Sequence, residues 1–275
     1  MANMKMYILD NGKLMLDRAN IIAGNRLATV VDKHPEAEWT EIPVNTFLID
    51  HPDGLVLFDT ACDPKGMSDN WPASSKLVSP YEAPEGGYLH ERLEQLKVKP
   101  EDVKYVVMSH LHTDHAGCLS LFKNAEVFVN ETEFTETLKL YALREEKPAY
   151  SHSDIEAFLN AKLRWHLLDN TEKEYPLLDG LTIVNFGSGH TFGMLGLLVE
   201  LPKAGNFLMV ADALYTSENA GPPIKFSGLV YDSLGYVATA KFIAKYAKAH
   251  NAQVVYGHDK AQSDGMIKST EGYYD

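Results

Sequence analysis

Cysteine is nearly absent from this chain. Cys62 and Cys118 are the only two, they stand in unrelated contexts, and no Cys-x-x-Cys pair exists. That argues against a disulfide framework and against a thiolate-rich structural zinc site, and it favours a reducing cytoplasm. Cys118 is expected to be a small buried apolar residue. Positive charge is also scarce: 25 Lys and Arg stand against 38 Asp and Glu, giving a net charge of −13. The basic residues are scattered, as in Lys241, Lys245 and Lys248, a solvated helix face. Phosphate backbones are held by clustered Lys and Arg, so no nucleic-acid partner is expected. No apolar run reaches the roughly 18 residues that a membrane span needs. The start, Met1 to Tyr7, lacks the hydrophobic segment and cleavage site of a secretory leader. A serine or cysteine nucleophile with supporting context is missing as well.

What is present is dense in metal-binding side chains. His110-Leu111-His112-Thr113-Asp114-His115 directly follows the apolar run Tyr105 to Met108. A strand ending in such a loop delivers three imidazoles and a carboxylate to one sheet edge, and those donors suit zinc, manganese or iron. The same grammar, an apolar strand and then a ligand, recurs three times: Gly189-His190 after Leu181 to Phe186, Asp212 after Phe207 to Ala211, and His258 after Val254 to Tyr256. Strand ends in layered architectures converge on one rim, so distant residues can meet there. His110, His112, Asp114, His115, His190, Asp212 and His258 are too many for one tetrahedral ion and suit two, with a carboxylate shared. Two divalent ions against two carboxylates leave the site positive, which favours a neutral or mildly anionic small molecule.

The spacing His-x-His-x-Asp-His, then Gly-His, then a strand-end Asp and a last Gly-His resembles the metallo-β-lactamase superfamily, over about residues 43 to 260. The resemblance implies an α/β fold, an αββα sandwich, with a dinuclear site on one rim. It implies that His110, His112 and His190 hold one zinc ion, that Asp114, His115 and His258 hold a second, and that Asp212 bridges them. Asp114 leans towards zinc hydrolases rather than the di-iron oxygen reductases of the same superfamily. Asp212-Ala213-Leu214-Tyr215, with Tyr256-Gly257-His258-Asp259, is similar to the N-acyl homoserine lactonases, the quorum-quenching branch. In that branch the tyrosine points at the substrate carbonyl; the alternative for Tyr215 is packing at a strand exit.

The chemistry that follows is attack of a metal-bridging hydroxide on the lactone carbonyl of an N-acyl homoserine lactone. Tyr215 and a metal steady the oxyanion, and Asp114 or water protonates the leaving oxygen. Alternatives are another hydrolase of the superfamily (thioesterase, glyoxalase II-like or β-lactamase-like) or an inactive metal-bound binding protein. A homodimer is implied by resemblance alone. Thr113 and Phe192 depart from the bulkier aromatic and the proline usual at their places, which bears on pocket shape.

At 275 residues and 45% hydrophobic content, the chain reads as a single domain over 1–275 with one full core. Asp10-Asn11-Gly12-Lys13 and His51-Pro52-Asp53-Gly54 predict two hairpin turns. Helices are predicted over 88–97, 115–122 and 233–249, the last with the apolar stripe Val237, Ala240, Ile243, Ala244 and Ala247. Strands are predicted over 181–186, 194–201 and 206–211. Residues 61–87, a long loop, and 131–168, a helical stretch, read as insertions; the resemblance to the lactonases implies that they shape the substrate groove, and the alternative is that their aromatics anchor them to the core. The stretch 13–39 is a further groove wall or dimer contact. His34, His51, His90, His152, His166 and His250 lack the ligand grammar and read as surface or capping residues.

Overall fold

The computed structural model describes residues 3–145 and 147–275; Met1 and Ala2 of the start, and Glu146 within 131–168, lie outside the described residues. Strands β1 (Lys5–Asp17), β2 (Trp39–Asp50), β3 (Leu55–Phe58), β4 (Tyr81–Glu82), β5 (Val103–Val107), β6 (Glu126–Asn130) and β7 (Arg164–Leu168) form one mixed sheet, in the order β4-β1-β2-β3-β5-β6-β7. Strands β8 (Glu174–Leu178), β9 (Leu181–Gly187), β10 (Met194–Leu201), β11 (Gly205–Ala211) and β12 (Ala252–Tyr256) form the second, in reverse order from β12 to β8. The helices are α1 (Ala73–Val78), α2 (Leu89–Gln95), α3 (Thr113–Ala116), α4 (Glu131–Leu143), α5 (His152–Asn160), α6 (Ser217–Ala220), α7 (Ser233–Ala249) and α8 (Lys260–Asp264).

The alternation of side chains along each strand divides the core in two. Met6, Ile8, Phe47, Ile49, Phe58 and Val107 point into the core shared with the second sheet and α7; Leu9, Leu48, Leu57 and Val106 point the other way, under α2, α4 and α5. This is the αββα layering. Among the described residues no helix is long and apolar enough to cross a membrane.

The hairpin expected at 10–13 does not form. β1 runs straight through it, and Asp10 pairs with Asn45 while Lys13 pairs with Pro43, so β1 carries one extra residue. One extra residue reverses the in–out parity of everything after it. Hence Leu9 before the bulge, and Leu14 and Leu16 after it, all face the same core. Gly12 holds φ +99°, and a Cβ there would come within 2.3 Å of the Glu82 carbonyl. The turn chemistry was real; it serves a bulge instead of a turn. The second hairpin, β2 to β3, forms where expected.

The helix over 115–122 also fails to form. After α3, Gly117 and Cys118 donate to the carbonyls of Ala61 and Thr60 instead of continuing helical bonds, and only a 3-10 turn follows at Leu119–Leu121. Helix α7 spans the expected residues, but its buried face is Tyr236, Thr239, Ala240, Ile243, Tyr246 and Ala247, with Ala244 outside it. The two tyrosines rotate the stripe by outweighing alanines in apolar area. Within 61–87 the chain makes a turn at Gly66–Asn70, then α1 and β4; within 131–168 it makes α4 and α5, and 164–168 is the edge strand β7. His51 is a further correction: it is buried, with Nε2 3.1 Å from the Asp179 carbonyl and Nδ1 accepting from the Asp53 N–H.

Candidate metal centre

Strand direction assembles the site. β3 and β5 run parallel, β11 and β12 run parallel, and β9 is antiparallel to β10, as β10 is to β11. The ends of β3, β5, β9, β11 and β12 therefore open on one rim. Each carries a polar residue just beyond it: Asp59, His110, His190, Asp212 and His258.

The ligand atoms gather in two sets. His110, His112, His190 and Asp212 make one; Asp114, His115, Asp212 and His258 make the other, with the atoms of each set within 4.8 Å of one another. Asp212 faces both. Its Oδ2 lies 3.2 Å from His190 Nε2 and 3.7 Å from His110 Nε2, and its Oδ1 lies 3.2 Å from His115 Nε2 and 3.0 Å from His258 Nε2. Asp114 Oδ2 is 3.5 Å from His115 Nε2 and 3.4 Å from His258 Nε2. All seven predicted ligands are thus brought together.

Three imidazoles are oriented from behind. His115 Nδ1 lies 2.8 Å from Asp59 Oδ2, His190 Nδ1 2.8 Å from the Leu229 carbonyl, and His258 Nδ1 2.9 Å from the Pro43 carbonyl. A neutral ring that donates there presents an Nε2 lone pair to the rim. In that ligand-ready form the lone pairs face carboxylate oxygens, which are acceptors too. His110 Nε2, His115 Nε2 and Asp212 Oδ1 are buried with no hydrogen-bond partner. Buried polar atoms are rarely left so, and a cation bound in each set would resolve the conflict. A set of imidazole nitrogens and carboxylate oxygens fits divalent transition ions.

The electrostatics separate the two sets: the first holds neutral imidazoles, and the carboxylates of the second draw protons onto theirs. Burial, with neighbouring imidazoles adding to it, holds His110 and His112 well below the usual imidazole pKa, so both stay neutral and ligand-ready. At His115 burial works against charge, yet Asp114, Asp212 and Asp59 outweigh it and raise the pKa well above its ordinary value. His258 is lifted likewise to about 10, burial opposing and Asp212 and Asp114 prevailing. Burial alone would push Asp114 up, but His115 and His258 bring it down to about 2. The two carboxylates demand positive charge at this rim.

Asp59 escaped the sequence reading. It accepts from the Ser109 N–H at 2.7 Å and from Ser109 Oγ at 2.8 Å while holding His115. Phe58-Asp59 follows the strand-then-carboxylate pattern of Ala211-Asp212, and that signal could have found it. Its φ of 62° turns the chain sharply into the rim, a left-handed conformation that Asp tolerates better than most residues. None of the six histidines read as surface or capping residues enters either ligand set.

A cavity of about 640 Å³ opens above the rim. His112, Asp114, His190, Asp212 and His258 line its floor; Leu14, Leu16, Trp71, Val78, Phe192 and Tyr231 are among its walls. Tyr215 is buried between two of the predicted ligands, its ring centre 5.1 Å from that of His190 and 5.2 Å from that of His258. Burial first, then the Asp212 and Asp114 charges, push its phenol well above the usual tyrosine pKa, so it stays a hydrogen-bond donor. Thr113 and Phe192 both line the cavity, and Phe192 packs edge-on against Tyr231 at 4.6 Å.

A two-sheet sandwich with this rim defines a metal-dependent hydrolase of the metallo-β-lactamase type. Residues 39–264 match the family described as the Metallo-beta-lactamase superfamily. The N-acyl homoserine lactonase AiiB of Agrobacterium fabrum is 40% identical to this chain, across 98% of it and 99% of the relative. A solved N-acyl homoserine lactone hydrolase, with N-hexanoyl-L-homoserine at its catalytic metal centre, superposes with a TM-score of 0.82 at 23% identity, covering 100% of both chains. The dizinc quorum-quenching lactonase AidC superposes at 0.66 and 18% identity, over 94% of this chain and 89% of its own. This chain belongs to the metallo-β-lactamase superfamily, in its N-acyl homoserine lactonase branch.

Proposed function

We propose that this protein hydrolyses the lactone ring of N-acyl homoserine lactones to N-acyl homoserines, with two zinc ions. His110, His112 and His190 would hold one ion, Asp114, His115 and His258 the other, and Asp212 both. One observation carries the reading: two donor sets that share a single carboxylate lie at the floor of a cavity with apolar walls, beside a buried phenol. The ester head and the fatty tail of an acyl lactone match that division. The AiiB relative bears the lactonase name, and the AidC neighbour is described as dizinc.

When bound, such ions supply a water that loses its proton near neutral pH and a Lewis acid for the carbonyl. The chain does the rest. Water adds its oxygen to the carbonyl carbon, the ring C–O bond breaks, and a proton ends on the released hydroxyl. Tyr215 donates its O–H to the carbonyl oxygen as negative charge grows there, worth about 2.7–4 kcal/mol for one well-aimed donor. Asp114, ionised at neutral pH, takes the proton of the attacking water and delivers it to the departing ring oxygen. The apolar walls keep bulk water from the reacting ester and seat the acyl chain. Residues 61–87 contribute Trp71 and Val78 to those walls and 131–168 contribute Tyr150, which supports a groove-shaping role for both segments.

The test is ring-opening kinetics on lactones of graded acyl length beside a thioester and a β-lactam, with metal content measured on the same sample. Turnover confined to the acyl lactones at about two zinc per chain is expected. Faster thioester or β-lactam cleavage would move the protein to another activity of the superfamily.

A further inference from the structure

Glu133 has no part in the chemistry above, yet it is a fully buried carboxylate beside the first donor set. It stands in the first turn of α4, whose N-cap Asn130 accepts from the Thr132 and Glu133 N–H groups. Four donors converge on it, the Thr191 hydroxyl among them. Leu111 N–H reaches Oε1 at 3.0 Å, the Tyr150 hydroxyl reaches the same oxygen at 2.9 Å, and Gly193 N–H reaches Oε2 at 3.3 Å.

These donors come from different parts of the fold. Leu111 lies between His110 and His112, on the loop leaving the first sheet; Gly193 lies on the loop that carries His190, in the second sheet. Tyr150 sets its ring edge against His112, with centres 4.6 Å apart. The first donor set takes ligands from both sheets, and His190 Nε2 sits 3.1 Å from His112 Nδ1. The approach is close: a Cβ on Gly193 would fall 2.0 Å from Asn130 Oδ1. Among the described residues no lysine, arginine or histidine pairs with Glu133, so burying its charge is costly, and hydrogen bonds from Leu111, Tyr150, Thr191 and Gly193 offset it.

We propose that Glu133 is a positioning residue. One acceptor-only group spans the loops of the two sheets and sets the spacing of His110 and His112 against His190, and so the affinity and geometry of the ion that these residues hold. The proposal rests on the metal reading given above. A carboxylate suits this task where an amide does not. Donors approach both oxygens, so either orientation of a glutamine turns its NH2 towards a donor and leaves that donor unpaired.

The test uses the full chain and its Glu133→Gln and Tyr150→Phe variants, each loaded with cobalt(II). Ligand-field absorption, chelator competition and thermal melting are read together. Wild type is expected to take up two cobalt ions. Glu133→Gln should fold, hold one ion as wild type does, bind the other about 10–100-fold more weakly, and show altered bands. Tyr150→Phe, which leaves both backbone donors bonded, should alter the bands less. Wild-type bands and affinity in Glu133→Gln would overturn the proposal. So would equal weakening of both ions in step with the melting temperature, because that marks a general loss of packing. Should Glu133→Gln not fold, unchanged bands in Tyr150→Phe overturn it and changed bands support it. A wild-type chain that takes up no cobalt removes the metal reading and this inference with it, an outcome distinct from the others.

Discussion

At the scale of single residues, side chains with similar burial do different work. Tyr215 and Tyr150 are both buried phenols at the cavity, but Tyr150 spends its hydroxyl on Glu133, whereas Tyr215 is flanked by two ligand imidazoles. Tyr215→Phe should keep its full metal content and lose about 100–1,000-fold in kcat, the worth of one oxyanion donor. Steady-state kinetics beside elemental analysis checks this; full activity would return Tyr215 to simple packing. Asp59 acts only through His115 and Ser109. Asp59→Asn keeps the shape but can turn an N–H towards His115 Nδ1, so metal affinity should fall by about 10–100-fold in a chelator titration. An unchanged affinity there would leave His115 in no need of its carboxylate.

Elements show where pattern reading succeeds and where it is overruled. The strands that deliver the ligands are continuous apolar runs that end abruptly in polar residues, and period and ending are both visible in one dimension. The bulge in β1 and the broken helix after α3 depend on partners far along the chain, Pro43 and Asn45 in one case, Thr60 and Ala61 in the other. Helix α7 lies between these cases: its span follows from its apolar repeat, but its orientation is set by two tyrosines. Ile243 lies at the middle of that face, 1% exposed. Ile243→Ala should cost about 2–5 kcal/mol of stability by leaving a cavity, with little change in activity per folded molecule, as read by urea unfolding beside kinetics.

Over the whole molecule, the rim is where two sheets meet, and it gathers like-natured acceptors from both. Leu195 N–H donates to the Ser109 carbonyl at 2.9 Å and Glu133 reaches both loops, but His110 Nε2, His115 Nε2 and Asp212 Oδ1 are buried in the donor sets without a hydrogen-bond partner. Metal bound to the folded chain alone should therefore stabilise the sandwich as a unit. At a free concentration of 100 Kd the linkage is about 2.7 kcal/mol, or roughly 5–10 °C for a chain of this size. Exhaustive chelation should lower the melting temperature by about that much and abolish turnover, and added zinc should restore both. Undiminished turnover after chelation would contradict metal dependence.

Much of the candidate site was legible in one dimension, because four of the candidate ligands follow β5 and one each follows β9, β11 and β12, and every one of those strands carries its own apolar signal. Asp59 was legible in principle by the same rule; His51 was not, since its partner at Asp179 lies on another element. By itself the sequence determined the donor types, their order and the layered class of the fold, for these depend on local composition and periodicity. Only the tertiary structure decided which oxygen of Asp212 faces which set, that the Glu133 carboxylate spans two loops, and that residues from 61–87 and 131–168 wall one cavity. Such distances are set by how two sheets pack, and packing is a property of contacts between residues remote in sequence.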